Sequence, residues 1–589
     1  MPPAPQRQQA APGAPGQAQI AASKFIIFDN FTKMTTQNPR QTLDEKELAW
    51  LENLQPVGKN NLQTVPAALA PIVTLAGETI SQQFYANIGA TDYIINFTAD
   101  GGGYAVNAAT GATTQFAPTG TFSNPDCTCW ASQRILIQDP TAGYCTWDTN
   151  TFVKQGGVSP NVRVTAGGSG YVSAPAVAIT GGSGSGVTAH SVISGGAVVA
   201  VVIDNPGVGY KAGDTLTVGF SGGGGSSAAA TAVVWPFTVK GTTLAVFAGR
   251  VWMGAGRTLA YTGTLGFDDV NPANAAGSSV LNDADLVHAI YALRNFNNYL
   301  FIFGDNSVKQ IGAITVSGSA TLFSILALSS DQGTIFKNTV ASYNRLVVFA
   351  NSVGVFAIFG ASVQKVSDDL DGIFQLIDFG QLPMAALNDL RNLHCYLLLV
   401  RYRDPVAGTR SIICAFMNNK WFVISQGNNL VAMTTVALTA TAAFETFASS
   451  GPDVTQLLQD PTTAVPITIR SALTHHGNLI QRKKALRAGF ACTVAAGITI
   501  NMSIESELGK ITYPMATVAP VQWVNNVGDA VAWINNALQP VVFGANGFVF
   551  PYRQVDASGK FLGFTLTGTV ADFALNAAAI EYQDTVPWG

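Results

Sequence analysis

Histidines and cysteines are the raw material of metal centres and nucleophilic sites, and their spacing in this chain builds neither. His190, His288 and His394 stand far apart, and His475 and His476 form the one adjacent pair. Neighbours along a strand point to opposite faces, so that pair does not converge on one metal. Cys127 and Cys129 are separated by one residue, a gap shorter than a zinc knuckle, with no second Cys or His pair at finger-like spacing. Cys145, Cys395, Cys414 and Cys492 are scattered. All six read as structural, reduced thiols. The acidic run Asp368, Asp369 and Asp371 before Gly372 lacks the alternation and closing Glu of a calcium loop, and reads as a solvated turn. The glycine cluster Gly181 to Gly186 opens no helix and lacks a Lys-Ser/Thr ending, which excludes a phosphate loop. No nucleophile-elbow, zincin or kinase pattern occurs. The expectation is therefore a protein that is not an enzyme, with no catalytic, cofactor-binding or metal-binding residues. The most basic segment, Arg482 to Arg487, is a wetted face or a contact for DNA or another subunit.

The composition agrees with a scaffold. Only 11% of the 589 residues are charged and the formal net charge is −4, against about 25% charged in ordinary soluble domains. Such a chain lacks the basic footprint of a nucleic-acid grip. An apolar content of 48% excludes general disorder. Scarce charge favours burial in a large assembly, and a chain this long is expected to hold about two to four domains. The first residues are rich in Pro, Gln and Ala and read as a flexible arm over 1–24, without the basic and apolar regions of a secretory signal. No membrane-spanning run is present; the nearest stretch, Val431 to Phe444, is interrupted by four threonines.

Elements follow from local patterning. Thr42 with Glu45 three residues on, then Leu48, Leu51 and Leu54, predict a capped helix over 42–54. A second, short helix is expected around Val527 to Leu538. Nearly everything else alternates with period two between Gly, Asn and Asp turns.

Two repeats organise the chain. Val164 to Tyr171 is echoed by Ile203 to Tyr210, an offset of 39. Each Tyr precedes an alternating strand and a glycine cluster, so the halves pair into a small β-domain over 160–235. A longer repeat places a turn before a short, strongly apolar strand at Ile135, Val251, Leu300, Leu346 and Leu397. The last four are spaced by 49, 46 and 51 residues. The wider first gap of 116 contains the glycine-rich unit, read as an insertion into one blade. A period of about 40–50 residues with several short strands is the signature of a β-propeller blade. The expected fold is all-β: an irregular propeller-like platform over 25–159 and 236–464, the inserted domain, and a last blade with a C-terminal β-domain over 465–589.

The chain resembles the tail nozzle (tail hub, or packaged-DNA stabilisation) proteins of short-tailed bacteriophages. The likeness rests on Leu48 to Pro66, which is similar to the family's opening asparagine and glycine-turn region but lacks its Pro-Gly. It rests also on the blade segments Gly249 to Trp252 with Tyr261 and Tyr299 to Gly304 with Ser307 to Ile311. The strand element beginning at Lys484 and the segment Gly559 to Leu566 complete it. The resemblance implies a virion protein of the tail, assembled in the host cytoplasm as a homohexameric ring. It would dock on a tail adaptor ring beside fibres or spikes. Double-stranded DNA would pass through its lumen without sequence-specific contact, to be retained and then released. Trp147, Trp252 and Trp421 in blade segments motivate an alternative, a receptor- or glycan-binding propeller.

Overall fold

The computed structural model describes residues 22–58, 60–155, 157–208, 210, 213–234, 240–269, 274–282, 286, 288–426, 429–439, 443–494, 498–516, 533–534, 540–541 and 548–585. The chain divides into two compact units. One is drawn from Met1–Met34, Asn38–Thr64 and Pro466–Gly589, the other from Thr35–Gln37 and Val65–Val465.

The second unit is a closed β-propeller. Its first blade is the antiparallel meander Ile80–Ile88, Thr91–Thr98, Gly103–Asn107 and Thr113–Ala117. Four-stranded meanders follow from Asp126–Trp130, Thr243–Phe247, Ala292–Phe296, Ala341–Tyr343 and Met384–Leu390. The seventh contributes only Ala432–Ala437, Phe444–Ser450 and Asp453–Gln456 in sequence. Its outermost strand comes from the other end of the unit, because Val73–Thr74 pairs with Asp453–Gln456. The amides of Ile72 and Leu75 donate to Val454 O and Pro452 O, both at 2.9 Å. Pairing the first residues of the ring into its last blade removes one free sheet edge and joins the ends. The last blade therefore ends before 465, not beyond it as the sequence suggested.

Hydrogen bonds cross every junction of the ring. Going round, they are Gln82 to Asn124, Thr243 to Asp126, the Leu293 amide to Thr243, Arg294 to Lys337 O, Tyr396 to Thr339 O, the Leu387 amide to Thr435, and Tyr85 to Ala437 O. Between neighbouring blades lie separate apolar cores. Phe97, Phe116 and Trp147 pack between the first two, and Trp252, Leu286 and Leu300 between the third and fourth. Each blade is too small to bury its own faces and depends on its neighbours.

The apolar repeat read from the sequence is the second strand of blades two to six: Arg134–Asp139, Arg250–Ala255, Tyr299–Phe303, Leu346–Ala350 and Leu393–Asp404. In four of these blades the turn before it has two central residues with positive φ. The pairs are Ala248 and Gly249, Asn297 and Asn298, Asn344 and Arg345, and Arg391 and Asn392. That is the type I′ geometry, whose twist matches the strands it joins.

The glycine-rich unit sits between the second and third blades, not inside one. Arg163–Ser169 pairs with Ser226–Thr231, and a four-stranded sheet contains Ser185–Ser194, Ala197–Val208, Ala176–Gly181 and Leu216–Ser221. The strands after the two repeated tyrosines pair with each other, Ile179 opposite Val218.

In the first unit, strands distant in sequence pair. Lys24–Phe28 pairs with Phe573–Asp584, which also pairs with Lys483–Val494, while Leu54–Val57 and Asn61–Thr64 extend the same sheet. A second sheet contains Val465–Ser471, Gly563–Val570, Thr499–Ser506 and Gly509–Ala516. Residues 38–64, expected in the propeller platform, thus cluster with the C-terminal sheets. The helix expected over 42–54 is absent. Arg40–Thr42 is a single 3-10 turn and Glu47–Glu52 is a strand against Val465–Ser471. Sheet pairing and burial of Leu48, Trp50 and Leu51 override a modest helical propensity. Glu45, expected to cap that helix, instead accepts from Thr474 Oγ1 at 2.6 Å. Most of Val527 to Leu538 lies outside the described residues, and the pair described there, Trp533–Ile534, is strand.

Candidate functional site

The residues singled out by type are dispersed. Cys127 and Cys129 lie on the inner strand of the second blade, burial pushes both thiols up, and Cys129 Sγ donates to Asn87 O at 3.0 Å. No group of three metal-ligating side chains exists among the described residues. Asp368, Asp369 and Asp371 occupy a 3-10 turn and a four-residue helix, with Lys365 Nζ 2.5 Å from Asp371 and 3.5 Å from Asp368. The basic run is divided as its strand alternates. Lys483 is buried and donates to Asn478 O and Lys560 O, Lys484 lies 3.4 Å from Asp556, and Arg487 pairs with Glu581 at 2.5 Å. His475 packs edge-on to Phe561, whereas His476 faces Glu45 at 3.3 Å.

What the fold does assemble lies at the propeller axis. The inner strand of each blade presents one edge inward, so residues hundreds of positions apart meet there. Asp126 of the second blade is fully buried and accepts from Thr243 at 2.6 Å and from Arg294 at 3.0 Å. Lys337, at the entry to the fifth blade, donates to Asn124 O at 2.7 Å and Thr242 O at 3.1 Å. Burial pushes the Asp126 carboxyl up, but the Arg294 and Lys337 charges and the hydrogen bonds from Arg294 and Thr243 outweigh it and hold it below its ordinary value. Burial pushes the Lys337 ammonium down to about 8, against the upward pull of Asp126. This network ties four successive blades together.

Arg294 also lines the first of two cavities. An axial one of about 360 Å³ is lined from six blades, including Gln83, Thr128, Arg294, Asn338, Ser342 and Thr434. The buried Gln83 Oε1 and Asn338 Oδ1 have no hydrogen-bond partner among the described residues, so the wall offers acceptors to a small polar occupant. The second, about 400 Å³, is lined by Phe296, Ser342, Tyr343, Asn344, Arg345, Leu387, His394 and Phe444. Ser342, Leu387 and Phe444 line both. Room exists there because the inner strand of the fifth blade, Ala341–Tyr343, has three residues where its neighbours have five and seven. His394 Nδ1 is held by the Asp389 carboxylate, whose other oxygen accepts from the Phe444 amide at 2.9 Å.

Of all these groups, only His394 was singled out from the sequence. Asp126, Arg294, Lys337 and Arg345 carry no local motif.

No protein-family model matches the chain, and no curated protein matches it. Among solved structures, it is similar to the WD40 β-propeller domain of Doa1, with 7% identity and a TM-score of 0.33 over 66% of this chain and 96% of that one. It is also similar to BamB from Moraxella catarrhalis, with 12% identity and a TM-score of 0.30 over 74% of this chain and 98% of that one. The blade topology, ring closure and inter-blade hydrogen bonds identify the unit Val65–Val465 as a seven-bladed β-propeller.

Proposed function

We propose that this chain is a structural subunit of the nozzle ring at the distal end of a short phage tail, where copies enclose the DNA channel and gate it. The reading rests on the sequence resemblance together with one observation that carries it, an apolar outer face on the terminal unit. Phe25 is 54% exposed, Ile27 58% and Tyr552 68%, and Phe25, Phe550 and Tyr552 line one groove of about 330 Å³. Contiguous exposed aromatics of this kind mark surfaces that a neighbour covers. The outer strand of the fourth blade, Ala320–Ser329, adds a second such surface. It is uncharged, exposes Leu322 and Leu326, and its outer edge pairs with no described strand.

The axial cavity of the propeller has the volume of a small-molecule pocket. A duplex therefore runs between copies of the chain, not through one propeller. A nearly neutral, slightly acidic lumen would not hold phosphates and would let DNA slide.

The test is the mass of the purified protein by light scattering, with and without Phe25→Asp combined with Tyr552→Asp. A multimeric wild type and a monomeric, still folded variant are expected. A wild type that stays monomeric at high concentration, and is missing from virions, overturns the reading.

A further inference from the structure

Within this propeller, the second central residue of the type I′ turns is Gly249, Asn298, Asn392 and, between the last strands of the sixth blade, Asn419. These are the residues that tolerate positive φ. The fifth blade departs from its own repeat. Its turn places Arg345 at φ +68°, with the side chain exposed and no ion-pair partner among the described residues. Arg391 holds the first central position of the sixth-blade turn at φ +52°, so positive φ is shared; what sets Arg345 apart is an exposed guanidinium without a described ion-pair partner on a cavity wall.

Its surroundings specify a role for it. Arg345 lines the 400 Å³ cavity with three aromatic rings, Phe296, Tyr343 and Phe444. Ser342 adds a hydroxyl. His394 adds a ring whose Nδ1 is engaged by Asp389. Nε2 is the ring nitrogen that this contact leaves to a ligand. The cavity thus offers flat apolar walls, a mixture of donors and acceptors, and one uncompensated guanidinium suited to a carboxylate. A peptide fits less well. The inward-facing Leu387 amide already donates to Thr435 Oγ1 at 2.7 Å, so the wall lacks an open ladder for strand addition.

We propose that this cavity is a binding site for a carboxylate-bearing sugar, with Arg345 holding the carboxylate and the aromatic rings stacking on the sugar ring. The site is complete within one propeller and does not depend on ring assembly.

The test measures binding of sodium glucuronate and sodium galacturonate to the full chain by saturation-transfer NMR and calorimetry, with glucose and glutamate as controls. Saturable uronate binding is expected, weakened at least tenfold in Arg345→Gly. Because glycine suits φ +68°, that variant is expected to melt no lower than the wild type, which separates lost binding from lost folding. Absence of saturable uronate binding overturns the proposal. Unchanged binding in Arg345→Gly places the site elsewhere and also overturns it. Equal affinity for glucose removes the role of the carboxylate, and tighter binding of glutamate than of uronate identifies a peptide carboxylate as the ligand; either result overturns it too. The nozzle reading is tested separately, by mass, so failure of one leaves the other standing.

Discussion

Arg294 of the fourth blade donates to Asp126 of the second at 3.0 Å, reaching past the third blade, whose Thr243 donates to the same carboxylate. With Lys337 donating to Asn124 O and Thr242 O, a fully buried carboxylate and two cations close one side of the ring.

Removing the carboxylate leaves the buried Lys337 ammonium and the part-buried Arg294 guanidinium without the charge that both face. Asp126→Ala is expected to destabilise the propeller by about 3–5 kcal/mol, the usual consequence of breaking a buried pair. Urea unfolding followed by tryptophan fluorescence measures it. The folded carboxyl titrates below its ordinary 3.8. Its contribution is therefore complete above that value and is lost as pH falls through the lower folded one. The acid side of the stability profile should be shallower in the variant, and identical profiles would refute the assignment.

Lys337 gives a slope of the same sign at the alkaline end, although its shift costs stability where that of Asp126 supplies it. Its folded value of about 8 lies below its ordinary 10.5, so between these the unfolded chain binds the extra proton. Stability should rise with pH across that window relative to Lys337→Met, by about 3 kcal/mol at most. A difference that is flat or falls over pH 8 to 10.5 would contradict a buried, desolvated ammonium.

Closure of the ring is testable at Ile72, whose amide donates to Val454 O. Ile72→Pro removes that donor and is expected to lose about 1–2 kcal/mol, with Ile72→Val as the control for lost volume. Hydrogen exchange should report the opening as faster exchange in Asp453–Gln456. An unchanged rate there would show that the closing strand is dispensable.

In the glycine-rich unit the repeats are interlocked. A Cβ on Gly184 would overlap the Tyr210 ring, and one on Gly225 would overlap Tyr171, so each tyrosine sits on the glycine cluster of the other copy. Gly184→Ala and Gly225→Ala should each destabilise the unit by about 1–3 kcal/mol, the range for overpacking. Deleting Pro160 to Trp235 should leave a soluble propeller, because the unit joins two blades without supplying a strand to either. Loss of soluble protein from that deletion would show a shared core.

The blade repeat was visible in the residues because each second strand is a run of large apolar side chains after a turn that demands glycine or asparagine. Val251 after Gly249 and Leu300 after Asn298 carry both signals. The strand Glu47–Glu52 reads as a helix because Leu48, Leu51 and Leu54 also satisfy a helical period. Only the partner strand Val465–Ser471, more than 400 residues away, decides between them.

By itself, the order of residues determined an all-β chain, the repeating blade with a turn before each apolar strand, and a glycine-rich unit of two similar halves. These depend on interactions among neighbours, where period and turn chemistry are local properties. Tertiary structure alone decided where the ring closes, that Val73–Thr74 completes the seventh blade, and that Asp126, Arg294 and Lys337 meet. Contacts at a propeller axis join inner strands that share no sequence neighbourhood, so no spacing rule announces them. The same closure leaves Arg345, His394 and three aromatic rings around one cavity.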